Sequence, residues 1–333
     1  MRSLTKIEVT HTQIALAFST ANLGEVRFVK EISDGWFNTV FEVAVDAGTK
    51  YIIKIAPRES VKLLTHENNL LATELDFYRI IKEHTDIKIP SIVFSDFTKK
   101  IIPSPYFIME FLKGERLDKI KISTYEKSLV NSEIAYVFAK LHTISGEGYG
   151  YTQTGLKHTW KGALLHMVHM LIADSSAFGK RCKVGKKLIS YINKFSYALE
   201  AVPSVLVNFD LHPMNIFATN ENGKIELSIF DLERGFWGDP IGDFVAHEPF
   251  KSFHKKSIIK AYNSYAKTPI NICKAHEIRY YLLLAYLGII MQVERYSRFK
   301  GFKKFFSIAY ILGTIGYLFF TKKALSNLKK LSK

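Results

Sequence analysis

Cysteine is nearly absent from this chain, with Cys182 and Cys273 the only two in 333 residues. Lying far apart, they form neither a metal-ligand spacing nor a disulfide framework, which suits a reducing, cytoplasmic setting. The N-terminal MRSLTKIEVTHTQ lacks the apolar core that a signal peptide carries. There is no repeat and no low-complexity segment. Phe305–Phe320 runs 16 positions without a charged residue, short of the roughly 18–20 that a membrane span needs. It also contains Ser307, Gly313, Thr314 and Gly316, so a buried C-terminal helix is expected. Contact of this helix and the basic tail SNLKKLSK with a membrane surface is the alternative.

Acidic residues are also scarce: 31 against 46 Lys and Arg, a net charge of +15. Such an excess can serve nucleic acid or an anionic membrane. Zinc-finger spacings and aromatic RNP-like segments are absent. The positive charge is dispersed, with modest clusters at Lys180–Lys187, Lys251–Lys256 and the C-terminal tail. A basic enzyme with solvated lysines, and no specific nucleic-acid partner, is the expectation.

Apolar residues are ample for a core, at 47%. Residues 25–55 read as three strands, Glu25–Ile32, Thr39–Val45 and Lys50–Ile55, with a plain hairpin turn at Asp46–Thr49. The turn Ser33–Asn38 has one glycine, Gly35, and reads either as an ordinary hairpin turn or as backbone N–H groups folded over phosphates. Lys54 lies inside an apolar strand, where a lysine is costly unless paired. A helix over Asn68–His84 follows, with Glu74 beside its apolar stripe as the expected partner and Glu67 as the alternative. Further strands are expected at Ser91–Ser95 and Tyr106–Phe111. Beyond Tyr125 the pattern is helical, over Ser128–Thr143, Trp160–Ala173, Lys186–Leu199, Lys255–Ala266, Lys274–Arg298 and Lys303–Leu331.

One stretch breaks that helical pattern: VLVNFDLHPMNIFATNENGKIELSIFDLERGFWGDPIGD, Val205 to Asp243. Short apolar runs around Asn222-Gly223 signal a hairpin. That hairpin would bring the Asp210–Asn215 loop beside the strand leading into Asp231. A hydroxyl attacking the γ-phosphate of ATP needs a carboxylate to orient it and take its proton. The triphosphate needs Mg²⁺ on hard oxygen ligands. Asp210, Asn215 and Asp231 supply a base and two metal ligands.

NFDLHPMN followed by IFDLERGFWGDPIGDFV resembles the catalytic and metal-binding loops of the aminoglycoside phosphotransferase family, in the protein-kinase-like superfamily. The family pattern is HGDLHxGN, then DFE or DWE, then GDPxxD. The resemblance implies an α+β, two-lobed kinase-like fold. Residues 1–112 would form a small antiparallel-sheet lobe and residues 113–333 a larger, mostly helical one. It makes Asp210 the catalytic base, supported by His212, and gives Asn215, Asp231 and Glu233 to Mg²⁺. Lys54, paired with Glu74, would bind the α- and β-phosphates of ATP (or GTP), with Gly35 and Asn38 in the phosphate turn. The backbone of Met109, Glu110 and Phe111 would meet the nucleotide base. Asp239 and Asp243 would hold the loop, and His142 would be structural. Asn208-Phe209 departs from the family's His-Gly.

The implied activity is transfer of the γ-phosphate to a hydroxyl of a small molecule. Both an aminoglycoside-type antibiotic and a metabolite (choline, homoserine, methylthioribose or fructosamine) stay open as acceptor. The basic balance argues against a polycation, although Asp174, Asp243 and Glu248 could form a local acidic patch. A catalytically silent binding module is the reading from another class.

Overall fold

The computed structural model describes residues 3–333 except Asp34, Trp36, 222–223, 248, 250–257 and 300–307. The lysine cluster at 251–256, Glu248 and the tip of the expected Asn222-Gly223 turn therefore lie outside the described residues.

The N-terminal third is built on one antiparallel sheet: β1 (Val26–Ile32), β2 (Thr39–Val45), β3 (Lys50–Ile55), β4 (Ile92–Asp96) and β5 (Tyr106–Glu110), in the order β1-β2-β3-β5-β4. Alternation places Phe41, Val43 and Val45 of β2 in the core, as period-two side chains require. One face is covered by α1 (His11–Thr20), which the sequence reading did not anticipate. Thr10 and Gln13 form a capping box at its start, and Ile14, Ala17 and Phe18 pack on the sheet. Ten residues with three core contacts give too faint a periodicity to read unaided.

The other face is covered by α2 (Leu70–His84), whose Leu71, Phe77, Tyr78 and Ile81 are buried against Ile52 and Phe107. This second core continues without a break into the helices that follow: α3 (Thr124–Leu141), α4 (Trp160–Ala177), α5 (Lys183–Lys194), α6 (Ile241–His247), α7 (Ile258–Tyr265), α8 (Lys274–Arg298) and α9 (Ile308–Leu331). α3 starts earlier than its apolar pattern suggests because Ser123 and Glu126 form a capping box. α5 stops at Lys194, and Ser196–Leu199 forms a separate 3₁₀ turn.

The central stretch folds as expected around a hairpin, β8 (Ile216–Glu221) against β9 (Lys224–Ile229), with Ile216 opposite Ile229. Two pairings were too short to read from sequence. β6 (Glu115–Arg116) adds to β8, and β7 (Val205–Val207) pairs with β10 (Phe236–Gly238).

α9 lies along α8, and Gly313 and Gly316 permit the approach. A Cβ on either would sit 2.8 Å from Arg295 Cδ and 2.7 Å from Met291 Cε respectively. The expected buried helix is buried on one side only: Phe320, Ala324 and Leu328 are covered, whereas Ile311, Leu312, Ile315 and Leu318 face outward. Among the described residues no helix is long and apolar enough to cross a membrane.

Candidate active site

Lys54 is only 6% exposed, which for a lysine demands partners. Its Nζ lies 2.7 Å from Glu74 Oε2 of α2, 2.7 Å from Asp231 Oδ1 just beyond β9, and 3.6 Å from Glu233 Oε2. Burial alone would depress its pKa, but the three carboxylates outweigh that and hold it well above the usual lysine value. Glu74 is the partner the helical spacing indicated. The alternative, Glu67, instead meets Arg298 at 2.7 Å. Burial, and then the negative charge of Asp231, push Glu233 up to about 8.

The hairpin does what the spacing of Asp210, Asn215 and Asp231 requires. Phe230 N–H donates to the Asn215 carbonyl at 3.2 Å, tying the two loops together. Asn215 Nδ2 donates to the Asp210 carbonyl (3.0 Å) and to its Oδ2 (3.3 Å), which leaves the Asn215 amide oxygen for a cation. Asp231 has φ +63°, and its N–H donates to the buried Tyr78 hydroxyl at 3.1 Å. Glu74, Asp231 and Glu233 bring carboxylate oxygens within 4.8 Å of one another. Hard oxygen donors of this kind, with the Asn215 amide beside them, fit Mg²⁺.

Asn208-Phe209, the departure from the family pattern, is accommodated rather than disruptive. Phe209 takes φ +57°, a conformation that costs a non-glycine residue about 1–2 kcal/mol. Its ring is fully buried, 5.2 Å from Phe236 and 6.0 Å from Tyr286 between centroids, and burial of a phenylalanine contributes about 1.5–3 kcal/mol in return. Its N–H donates to Asp243 Oδ1 at 2.8 Å. The other Asp243 oxygen meets His142 Nε2 at 3.0 Å, and His142 Nδ1 meets the Tyr262 hydroxyl at 3.0 Å. Asn208 Oδ1 accepts from the Asp210 N–H at 3.0 Å. Asp239 accepts from Ile241 N–H and lies 3.1 Å from Arg279. Asp243 and His142 thus hold the loop, Asp239 ties its own turn to α8, and no acidic acceptor patch forms from Asp243 or from Asp174. The latter is buried, capping Thr65 through N–H and hydroxyl at 2.9 and 2.7 Å.

His212 is at the loop surface. Its Nδ1 accepts from Met214 N–H at 3.2 Å, and its Nε2 is 3.7 Å from Asp210 Oδ1. Asn38 is buried and donates to Glu233 Oε2 at 2.7 Å, away from the turn that precedes it. Gly35 borders the same cavity as Asp210; Asp34 and Trp36 lie outside the described residues. Met109 and Glu110 end β5 and Phe111 follows it; β5 pairs with β3, placing Met109 opposite Ile52, two residues from Lys54. The N–H groups of Glu110 and Phe111 already donate to Ser91 and Lys50 carbonyls, at 2.9 and 3.4 Å, so a nucleotide base would have to displace those bonds or use backbone further along.

The sequence reading missed Arg234. Its Nη1 is 3.5 Å from Asp210 Oδ1 and its Nη2 is 2.6 Å from Glu294 Oε2. Glu294 continues to Arg298 at 3.3 Å. Burial raises the Asp210 pKa, and Arg234 and His212 oppose that rise. The detectable signal was Glu294, Arg295 and Arg298 directly after the uncharged run Tyr280–Val293 of α8, where charges next to a buried stretch demand partners.

His66, beside this chain of ion pairs, stacks on Tyr151 with centroids 5.3 Å apart. Burial drives its pKa down to about 4, against the pull of Glu294 and Asp174. Folded His66 therefore refuses a proton that the unfolded chain accepts below about pH 6.5. Its contribution to stability is complete above that pH and is lost as pH falls toward 4. In urea titrations of wild type and His66→Phe, the stability difference should move about 2 kcal/mol in the variant's favour between about pH 7.5 and about pH 5. An unchanged difference would mean His66 is not held neutral.

Asp210, Asn215, Asp231 and Glu233 all border one cavity of about 800 Å³, which residues of α8 and α9 also line. A buried lysine–glutamate pair joining sheet to helix, with an acid–amide–acid constellation across a cleft, defines the kinase-like class. The model of the phosphotransferase enzyme family (APH) matches residues 29–247, and the chain belongs to that family. No curated protein matches it significantly in sequence. Among solved structures it is similar to a Ralstonia eutropha JMP134 protein provisionally identified as an aminoglycoside phosphotransferase (TM-score 0.66, 14% identity, 97% of this chain and 99% of that one). It is also similar to the choline kinase LicA of Streptococcus pneumoniae (TM-score 0.65, 15% identity, 96% and 100%). The streptomycin–ATP–APH(2'')-IIa ternary complex is a third (TM-score 0.59, 17% identity, 94% and 97%). These likenesses establish the two-lobed protein-kinase-like fold, with a small antiparallel-sheet lobe and a larger helical lobe.

Proposed function

We propose that the protein transfers the γ-phosphate of ATP, as its magnesium complex, to an alcohol. The observation that carries this is the buried ammonium of Lys54, bridging Glu74 and Asp231 at 2.7 Å each, with Asp210 and Asn215 on the cavity that Asp231 borders. In this reading residues 1–112 form the nucleotide lobe and residues 113–333 the acceptor lobe. Mg²⁺, held by Asn215 and Asp231 with Glu233 beside them, offsets charge on the transferring group when bound. Lys54 neutralises the α- and β-phosphates. Asp210, positioned by Asn215 and Arg234, orients the acceptor hydroxyl and takes its proton. The two cysteines are free, in keeping with a cytoplasmic enzyme.

Of the two acceptor classes, the cavity favours the less charged. Aminoglycosides are polycations, and each described carboxylate on the wall already has a cationic partner. Asp210 and Glu294 meet Arg234, and Asp231 and Glu233 meet Lys54. Antibiotic resistance is therefore the weaker reading and a kinase for an uncharged or weakly charged alcohol the stronger. ATP should raise the melting temperature of the protein only when Mg²⁺ is present. GTP measured alongside gives the nucleotide preference. A melting temperature indifferent to both nucleotides with Mg²⁺ would overturn the assignment and leave the binding-module reading.

A further inference from the structure

Leu287 and Met291 of α8 with Leu312, Ile315 and Phe320 of α9 give the cavity an apolar flank, which adjoins Glu294, Arg295 and Arg298 at the end of α8. Leu312 and Ile315 have two environments at once: they border the cavity and are 55% and 54% exposed on the outside of the molecule. They continue outward to Ile311 and Leu318, 44% and 57% exposed. At 3.6 residues per turn these four side chains fall within about a third of the helix circumference. Lys322, Lys329 and Lys330 fall in that same sector, one to three turns on, and are exposed. The outward face of α9 thus grades from apolar to cationic.

A helix that is apolar on all sides of its first half is stable only when its second face is also covered. A second copy of this chain is a poor cover. Pairing through this face sets lysines against lysines, or against the apolar half of the partner. An anionic bilayer accepts both halves, with the apolar side chains at the acyl boundary and the lysines among the headgroups. α9 would lie on such a surface, since no described helix can cross one.

We infer that α9 seats the enzyme on an anionic membrane, and that its acceptor is a lipid with a hydroxyl-bearing headgroup. Its acyl portion enters the active-site cavity past Leu312 and Ile315. This rests on the phosphotransferase reading above and names its acceptor. The headgroup oxygen attacks the γ-phosphorus and its proton passes to Asp210. The bond from γ-phosphorus to the bridging oxygen breaks with its electron pair leaving on ADP, and a phosphorylated lipid results. The paired carboxylates of the wall, poor for a polycation, suit such a ligand.

The test uses the full chain with sedimented vesicles of phosphatidylcholine alone, of phosphatidylcholine mixed with phosphatidylglycerol, and of a total bacterial lipid extract. The protein should pellet with the two anionic preparations and stay in solution with the first. Leu318→Gln, or Lys329→Glu with Lys330→Glu, should reduce binding about tenfold or more while leaving Mg²⁺-dependent ATP binding unchanged. With γ-labelled ATP and the extract vesicles, label should enter the organic phase, and Asp210→Asn should abolish it. Protein that remains in solution with anionic vesicles, or label that enters only water-soluble alcohols such as choline, overturns this inference while ATP binding upholds the phosphotransferase reading. So does a concentration-dependent dimer that Leu318→Gln dissolves without any vesicle binding. Loss of ATP binding itself would remove both.

Discussion

Asp210→Asn should lower kcat by about two to four orders of magnitude, the usual contribution of a positioned general base, while nucleotide affinity changes little. The substitution keeps the size of the side chain. It also keeps the two backbone contacts that shape the loop, the Asp210 N–H to Asn208 Oδ1 and the Asp210 carbonyl to Asn215 Nδ2. What it removes is the charge proposed to take the acceptor's proton, which is also the partner of Arg234 at 3.5 Å. The check is single-turnover transfer, with ATP affinity measured on the same preparation. A variant that turns over like wild type would mean that another group takes the proton.

The second large effect concerns Lys54, and here activity and stability should separate. Lys54→Met removes the cation between Glu74, 1% exposed, and Asp231. Breaking a buried pair from one side leaves a carboxylate uncompensated and typically costs about 3–5 kcal/mol. Activity should fall by orders of magnitude, because positioning and electrostatics supply most of the rate in phosphoryl transfer. Adding Glu74→Gln to Lys54→Met removes the most deeply buried of the stranded charges, leaving Asp231 and Glu233. Stability should return part of the way to wild type in urea titration, and activity should not. Recovery of turnover in the double variant would mean that the lysine serves only the fold.

The site residues differ in how far they could be read along the chain. Asp210, Asn215 and Asp231 were legible because a tight hairpin and a fixed five-residue spacing translate almost directly into proximity. The Lys54–Glu74 pair was legible for a different reason: a lysine within an apolar strand needs a carboxylate, and Glu74 flanks the buried stripe of the next helix. Glu67 fitted that demand nearly as well. Only the packing of α8 shows that it belongs to Arg298 instead. Arg234 was missed because its two partners, Asp210 and Glu294, lie on opposite sides of it, one of them 60 residues along the chain. Asp174 and Asp243 looked available for a cationic acceptor, yet both are consumed inside the structure, capping Thr65 and Phe209.

Local chemistry determined the family, the hairpin and the carboxylate and amide groups proposed as base and metal ligands, because each depends on residues close together in the chain or on the cost of burying one charge. Long-range packing decided the rest. It brought α8 and α9 to the cavity that Asp210 borders, paired Asp210 and Glu294 with Arg234, and left one side of α9 facing out. No periodicity reports those outcomes. Which face of an apolar helix is covered, and which acid a distant arginine neutralises, depends on where separate elements meet in space.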